Sequence, residues 1–173
     1  MKNKKLYNTV NKKLENSQAS ILLIEEISEL ITEISLIMAN EGSIDHLTEE
    51  IIDVEIMTNL VMRTFKIENK DVNKYMDKIR KKEDVETNLM RMSFNKDELF
   101  KKCIKRLSVF QKTICKKNRG RHNKKDIAEA IASVNISLEV LIEICDVSDN
   151  RYEKWKSKKL KRLQKRSKKN KII

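Results

Sequence analysis

Apolar residues recur every three or four positions along six long stretches of this chain, with short polar breaks between them. That period describes a helix with one core-facing stripe. It predicts helices near 17–40, 44–66 and 69–87, then near 96–117, 123–146 and 148–168. Asn69 or Asp71 is placed to start the third helix, Asn123 the fifth and Ser148 the sixth. Such side chains accept hydrogen bonds from the unpaired N–H groups of a first turn. The breaks are short, so neighbouring helices pack antiparallel.

The second three stretches repeat the first three at a shift of 80 positions. Ile24 meets Ile104, Ser28 meets Ser108 and Ile34 meets Ile114. Further along, Glu49 meets Glu129, Ile51 meets Ile131, Val54 meets Val134, Ile56 meets Ile136, and Tyr75 meets Trp155. The two glycines, Gly42 in NEGS and Gly120 in NRGR, each fall between a first and a second helix and read as counterparts. A shared apolar period at fixed spacing marks a duplication. The expected architecture is an all-α helical bundle of two tandem, related three-helix units, the second degenerate. A basic segment 1–16 precedes a unit over 17–87. A connector 88–95 leads to a unit over 96–168, and 169–173 ends the chain. Both chain ends read as mobile.

Composition supports helices over sheets. The 173 residues include no Pro and two Gly, with 5% aromatic and 37% charged residues. A sheet protein needs more turn residues and more aromatics. No apolar run reaches the roughly 18–20 residues of a membrane span, and the N-terminus lacks the apolar centre of a secretion signal. Cys103, Cys115 and Cys145 have no CxxC spacing and fit apolar positions in a reducing compartment. These features predict a cytoplasmic protein with no membrane contact.

The net charge of +12 is uneven. Residues 151–173 hold twelve Lys or Arg against Glu153 alone, so the rest of the chain is nearly neutral. This tail reads first as a third helix with a solvated basic end. Salt-sensitive contact with nucleic acid is its second reading.

Carboxylates cluster in two places. Glu25, Glu26 and Glu29 lie in IEEISELITEI, and Glu50 and Asp53 lie in LTEEIIDVEIM. Residues three or four apart share a helix face. Glu50 and Asp53 fall in the stripe of Val54, Met57, Leu60 and Val61. Glu26, Glu29 and Glu33 fall in the stripe of Leu22, Leu36 and Ile37. Ionised acids in line with a core stripe are costly without a compensating cation. No basic residue on those stripes offers a partner, while Glu49 and Glu55 point away towards solvent. An oxygen-rich cluster from two helices suits a hard divalent ion such as Mg²⁺. The second unit carries Lys105, Arg106, Val109, Ala130 and Ser133 at the matching positions, so one ion site per chain is expected.

The E-E-x-x-E and E-x-x-D motifs, flanked by apolar helical sequence over about 20–87, resemble those of the all-α nucleoside triphosphate pyrophosphohydrolases. This is the MazG-like superfamily, which includes the dimeric dUTPases. The resemblance implies a helical bundle that binds Mg²⁺, with Mn²⁺ as a substitute, through Glu26, Glu29, Glu50 and Asp53. It implies cleavage of a nucleoside triphosphate to the monophosphate and pyrophosphate, in removal of unwanted nucleotides. Glu25, Glu29 or Glu33 would orient the attacking water. The family's Lys-x-x-x-Arg pair is approximated by Lys78 and Lys82. Lys78, Arg80, Lys81 or Lys82 would then stabilise the leaving pyrophosphate. A homodimer or higher homo-oligomer is expected, the two units packing on each other like a dimer of single units. The competing reading is a non-catalytic helical protein that binds a nucleotide, or binds nucleic acid through its basic tail.

Among other residues, His46 reads as a polar residue near a helix start, His122 as part of a basic loop, and Trp155 as core.

Overall fold

The computed structural model describes residues 3–14, 16–90 and 95–169. These form helices α1 (Lys4–Asn11), α2 (Asn16–Met38), α3 (Ile44–Thr64), α4 (Asn69–Met90), α5 (Lys96–Asn118), α6 (Lys124–Ile144) and α7 (Asp149–Lys168). There is no strand among the described residues. Half of the connector expected at 88–95 (residues 91–94), and all but the start of the chain end at 169–173, lie outside them.

Helices α2, α3 and α4 match α5, α6 and α7 at the shift of 80, since Asn16, Ile44 and Asn69 correspond to Lys96, Lys124 and Asp149. Local chemistry explains the boundaries. The Ser43 side chain accepts from the Asp45 N–H to open α3, and Asn123 with Asp126 forms a reciprocal capping pair on α6. Ser148 caps α7 by accepting from the Arg151 N–H.

The helix ends repeat too. Asn40, Lys66, Gly120 and Asp146 all adopt positive φ. Beyond them, Glu41 N–H donates to Leu36 O (2.9 Å), Ile67 to Met62 O (2.8 Å), Arg121 to Lys116 O (2.9 Å) and Val147 to Ile142 O (3.0 Å). Each such closure satisfies carbonyls left open at a helix end. The counterpart of Gly120 is therefore Asn40, which corrects the expected pairing of the glycines. Gly42 serves a different need, because a Cβ there would sit 2.6 Å from the Ile37 backbone nitrogen.

The helices pair in an exchanged way. Helices α2 and α3 form one hairpin, α5 and α6 the other, and α2 packs on α5. Gln111 crosses that seam, its side chain donating to Ile24 O (2.9 Å) and Ser28 Oγ (2.8 Å). The third helices then cross over: α4 packs on α6, and α7 packs on α3. Leu23, Ile27, Leu30, Ile34, Leu60, Phe110, Ile114 and Ile131 are buried in the common core.

The N-terminal segment differs from the mobile one expected. Helix α1 docks on α3 and α7, burying Tyr7, Val10 and Leu14. Arg63 Nη1 donates to Asn8 Oδ1 (2.6 Å), and Thr64 Oγ1 donates to Asn11 Oδ1 (2.8 Å).

Candidate metal centre

Helices α2 and α3 place Glu26, Glu29 and Glu50 together. Each offers a carboxylate oxygen, and these oxygens lie within 4.8 Å of one another. Glu26 and Glu50 are half-buried and Glu29 is exposed. The core stripe of α2 is Leu23, Ile27, Leu30 and Ile34, so its acids sit on the shoulder of that stripe instead of within it.

Crowding and burial oppose ionisation here. Burial, then the charges of Asp53 and Glu29, push the Glu26 carboxyl up to about 7. The same causes push Glu50 up to about 8. Burial also raises Asp53, although its hydrogen bond to Lys159 works the other way. Glu50 Oε2 is buried and has no hydrogen-bond partner. Such an orphaned oxygen costs free energy unless something binds it. All-oxygen donors from carboxylates fit a hard divalent cation and do not favour a soft one.

Asp53 stands beside this trio, held by Lys159 of α7. Lys159 Nζ also lies 2.6 Å from Glu49 Oε1, and Arg162 reaches Glu49 at 3.5 Å. Desolvation disfavours the Lys159 ammonium, but its hydrogen bonds to Asp53 and Glu49 prevail and its pKa is raised. Further along, Lys156 pairs with Glu55 (2.8 Å), and Tyr152 donates its hydroxyl to the same carboxylate. Arg151 meets Asp45 at 2.9 Å. The expectations that Glu49 and Glu55 face solvent, and that the acids have no basic partner, are both corrected. Their partners come from a helix about 100 residues later in sequence.

The sequence candidates divide as follows. Glu25 is exposed on α2. Glu33 is buried, and its Oε1 accepts from the Ser43 N–H (3.0 Å), so it fastens the α2–α3 loop. Lys78, Lys81 and Lys82 are exposed on α4, which packs on α6. Arg80 forks onto Glu139 of α6 at 2.8 Å. Instead, α7 brings cations to the acids. A cleft of about 150 Å³ is lined by Glu26, Asp53, Leu60, Lys159, Arg162 and Arg166, among others. The repeat contained the signal: at the same shift, Lys78 and Lys82 align with Lys158 and Arg162, a true Lys-x-x-x-Arg spacing.

The other half of the bundle shows what compensation requires. Glu50, Asp53 and Lys159 correspond to Ala130, Ser133 and Ile79. The acids and their cation are missing together there, as expected if each makes the other tolerable.

Elsewhere, His122 Nδ1 lies 2.8 Å from Asp126, His46 is exposed, and Trp155 is half-buried with Nε1 directed at Asp45 (3.5 Å). Among the described residues, no helix is long and apolar enough to cross a membrane. Comparison with protein-family models, with curated proteins and with solved structures found no match to this chain.

Proposed function

We propose that this chain is a Mg²⁺-dependent nucleoside triphosphate pyrophosphohydrolase that converts a ribo- or deoxyribonucleoside triphosphate to its monophosphate and pyrophosphate. The supporting observation is the convergence of Glu26, Glu29 and Glu50 within 4.8 Å, with Glu50 Oε2 buried and unpartnered. These three would hold Mg²⁺ or Mn²⁺, with Asp53 completing the set once Lys159 turns to substrate. A divalent ion at such a site neutralises phosphate oxygens and makes a bound water more acidic.

The chain's own groups supply the rest. Lys159, Arg162 and Arg166 line the adjoining cleft and bind the departing pyrophosphate, offsetting its developing charge. Glu29 or Glu25, both exposed on the same helix, takes the proton of the attacking water. Glu33 is committed to the loop. A cytoplasmic nucleotide-clearing role and assembly as a homodimer or larger homo-oligomer belong to the same proposal.

The test is pyrophosphate release from a panel of NTPs and dNTPs with Mg²⁺. Turnover of at least one nucleotide, lost in Glu26→Gln and Glu50→Gln, supports the proposal. No turnover of any nucleotide by the folded chain overturns it. A second reading, a non-catalytic nucleotide binder, draws on Lys159, which already satisfies Asp53 and Glu49 without an ion. Nucleotide binding without hydrolysis selects that reading.

A further inference from the structure

The cations of α7 divide into two sets. Arg151, Lys156, Lys159 and Arg162 are paired to acids of α3. Lys154, Lys158, Lys161, Lys165 and Lys168 are exposed and have no ion pair among the described residues. Their spacing alternates between three and four residues. At 3.6 residues per turn they fall within about 40° of one line along the helix. The stripe from Lys154 to Lys168 runs about 21 Å at a rise of 1.5 Å per residue.

Like charges at this spacing repel and weaken a helix. The stripe is therefore a burden on α7 unless a polyanion lies against it. Its flank is also basic. Between α1 and α7 runs a groove of about 680 Å³, lined by Lys5, Thr9, Ser157, Lys161, Gln164 and Lys168, with Glu153 as its only acid among the described residues. Lys5 is exposed. Donor side chains of this kind suit phosphate and sugar oxygens.

We propose that the outer face of α7, with the α1–α7 groove, docks double-stranded nucleic acid through its phosphate backbone without reading sequence. The five exposed lysines of the stripe supply the positive charge that a phosphate backbone attracts whatever its sequence. A single strand is disfavoured because binding it calls for exposed aromatic rings on which bases stack. Trp155, the aromatic nearest the stripe, is half-buried and covered by Lys158 at 3.8 Å. A bilayer is disfavoured because membrane-surface helices insert large apolar side chains. Among the described residues the exposed large apolar side chains are Ile21 and Val109, and neither is on α7. This proposal does not depend on nucleotide hydrolysis.

The experiment is fluorescence anisotropy of a labelled duplex of about 20 base pairs, titrated with the full chain between about 50 and 200 mM salt. Vesicles containing phosphatidylserine and a single strand of equal length serve as comparison arms. Expected are preferential duplex binding and a log–log salt slope of about −0.9 per phosphate neutralised. The variant Lys154→Gln/Lys161→Gln/Lys165→Gln should bind at least ~10-fold more weakly, with a slope shallower by about 2.7. The matching triple Lys→Arg variant should bind like the wild type, which separates lost charge from damaged folding. No duplex binding, unchanged affinity and slope in the Gln variant, or preference for vesicles or the single strand would each overturn the proposal.

Discussion

Lys159 of α7 donates to Asp53 of α3, with both side chains 16% exposed, and so one helix of the C-terminal half is fastened to the acidic face of the N-terminal half. The same ammonium contacts Glu49 at 2.6 Å. One lysine thus compensates two acids at the border of a cluster that contains three more. It also links the candidate metal centre to the crossing-over of the third helices.

The first prediction concerns that lysine. Lys159→Met leaves Asp53 and Glu49 without their cation in a poorly solvated place. Removing one partner of a buried pair costs about 3–5 kcal/mol; the residual exposure of these groups reduces that to about 2 kcal/mol. Urea unfolding without metal should show the loss. Millimolar Mg²⁺ should restore most of it, because a divalent ion can replace the ammonium as counter-charge. A loss that Mg²⁺ leaves untouched would count against an ion beside Asp53.

A second prediction follows from the direction of the carboxyl shifts. Glu26 and Glu50 rise from the ordinary value of 4.5 to about 7 and about 8. The folded state therefore holds protons that the unfolded state has released. Their contribution to stability is fully present below about pH 4.5 and is lost as pH rises through the folded values. Without metal, the contribution of these two groups should lower the melting temperature between pH 5.5 and 8.5. Glu50→Gln should flatten the fall and raise the metal-free melting temperature at pH 8.5 by about 2–4 °C, which is roughly 1 kcal/mol for a chain of this length. Mg²⁺ competes with those protons, so its stabilising effect should be larger at pH 8.5 than at pH 5.5. Calorimetry at both pH values measures each of these changes.

The third prediction separates α4 from α7. Lys78→Gln, Lys81→Gln and Lys82→Gln alter exposed residues on a helix that lies against α6. Pyrophosphate release should stay within about twofold, a small change on a scale where tenfold is 1.36 kcal/mol. Arg162→Gln or Arg166→Gln should lower kcat/KM by at least ~10-fold, the scale of one charged contact to a leaving phosphate. The reverse ranking would return the phosphate site to α4.

Much of the fold was legible because its determinants are local. The apolar period of residues 44–66 is enough to place α3, and the structure bounds it with the Ser43 cap and the left-handed residue Lys66. The acids of α2 and α3 were legible as a group because helical spacing fixes which residues share a face. What stayed hidden was non-local. Periodicity shows that Asp53 is half-buried but cannot say which helix covers it. With adjacent helices assumed to pack together, α4 was the natural source of cations. The structure brings α7 instead, and the hints in sequence are Ile79 standing opposite Lys159 and the Lys158–Arg162 spacing that Lys78 and Lys82 only approximate. Glu33 misled for a similar reason. It lies in the acidic stripe of α2, yet one turn further along its carboxylate meets the Ser43 N–H and leaves the cluster. Helix α1 was missed because eight residues supply too little pattern, and its apolar Tyr7 and Val10 find their cover only on α3 and α7.

The last prediction tests the two helix-end solutions against each other. Gly120 has φ of 73° with nothing within 4 Å of a built Cβ, so Gly120→Ala incurs only the left-handed backbone penalty of about 1 kcal/mol. Asn40 occupies the equivalent position with φ of 61°. Asn40→Gly should therefore be neutral or stabilising by up to about 1 kcal/mol, because glycine carries no penalty there. Gly42 does not have positive φ, yet an added Cβ would lie 2.6 Å from a backbone nitrogen and 2.9 Å from the Ile37 side chain. The backbone cannot yield as a flexible side chain can, so Gly42→Ala should cost about 2–3 kcal/mol, in the range of overpacked sites. Because Gly42 belongs to the loop that Glu33 fastens, that variant should also loosen the start of α3, where Glu49 and Glu50 are placed. Thermal unfolding of the three variants should rank Asn40→Gly above Gly120→Ala above Gly42→Ala. If Gly42→Ala were as mild as Gly120→Ala, the close approach of the loop to Ile37 would be wrong.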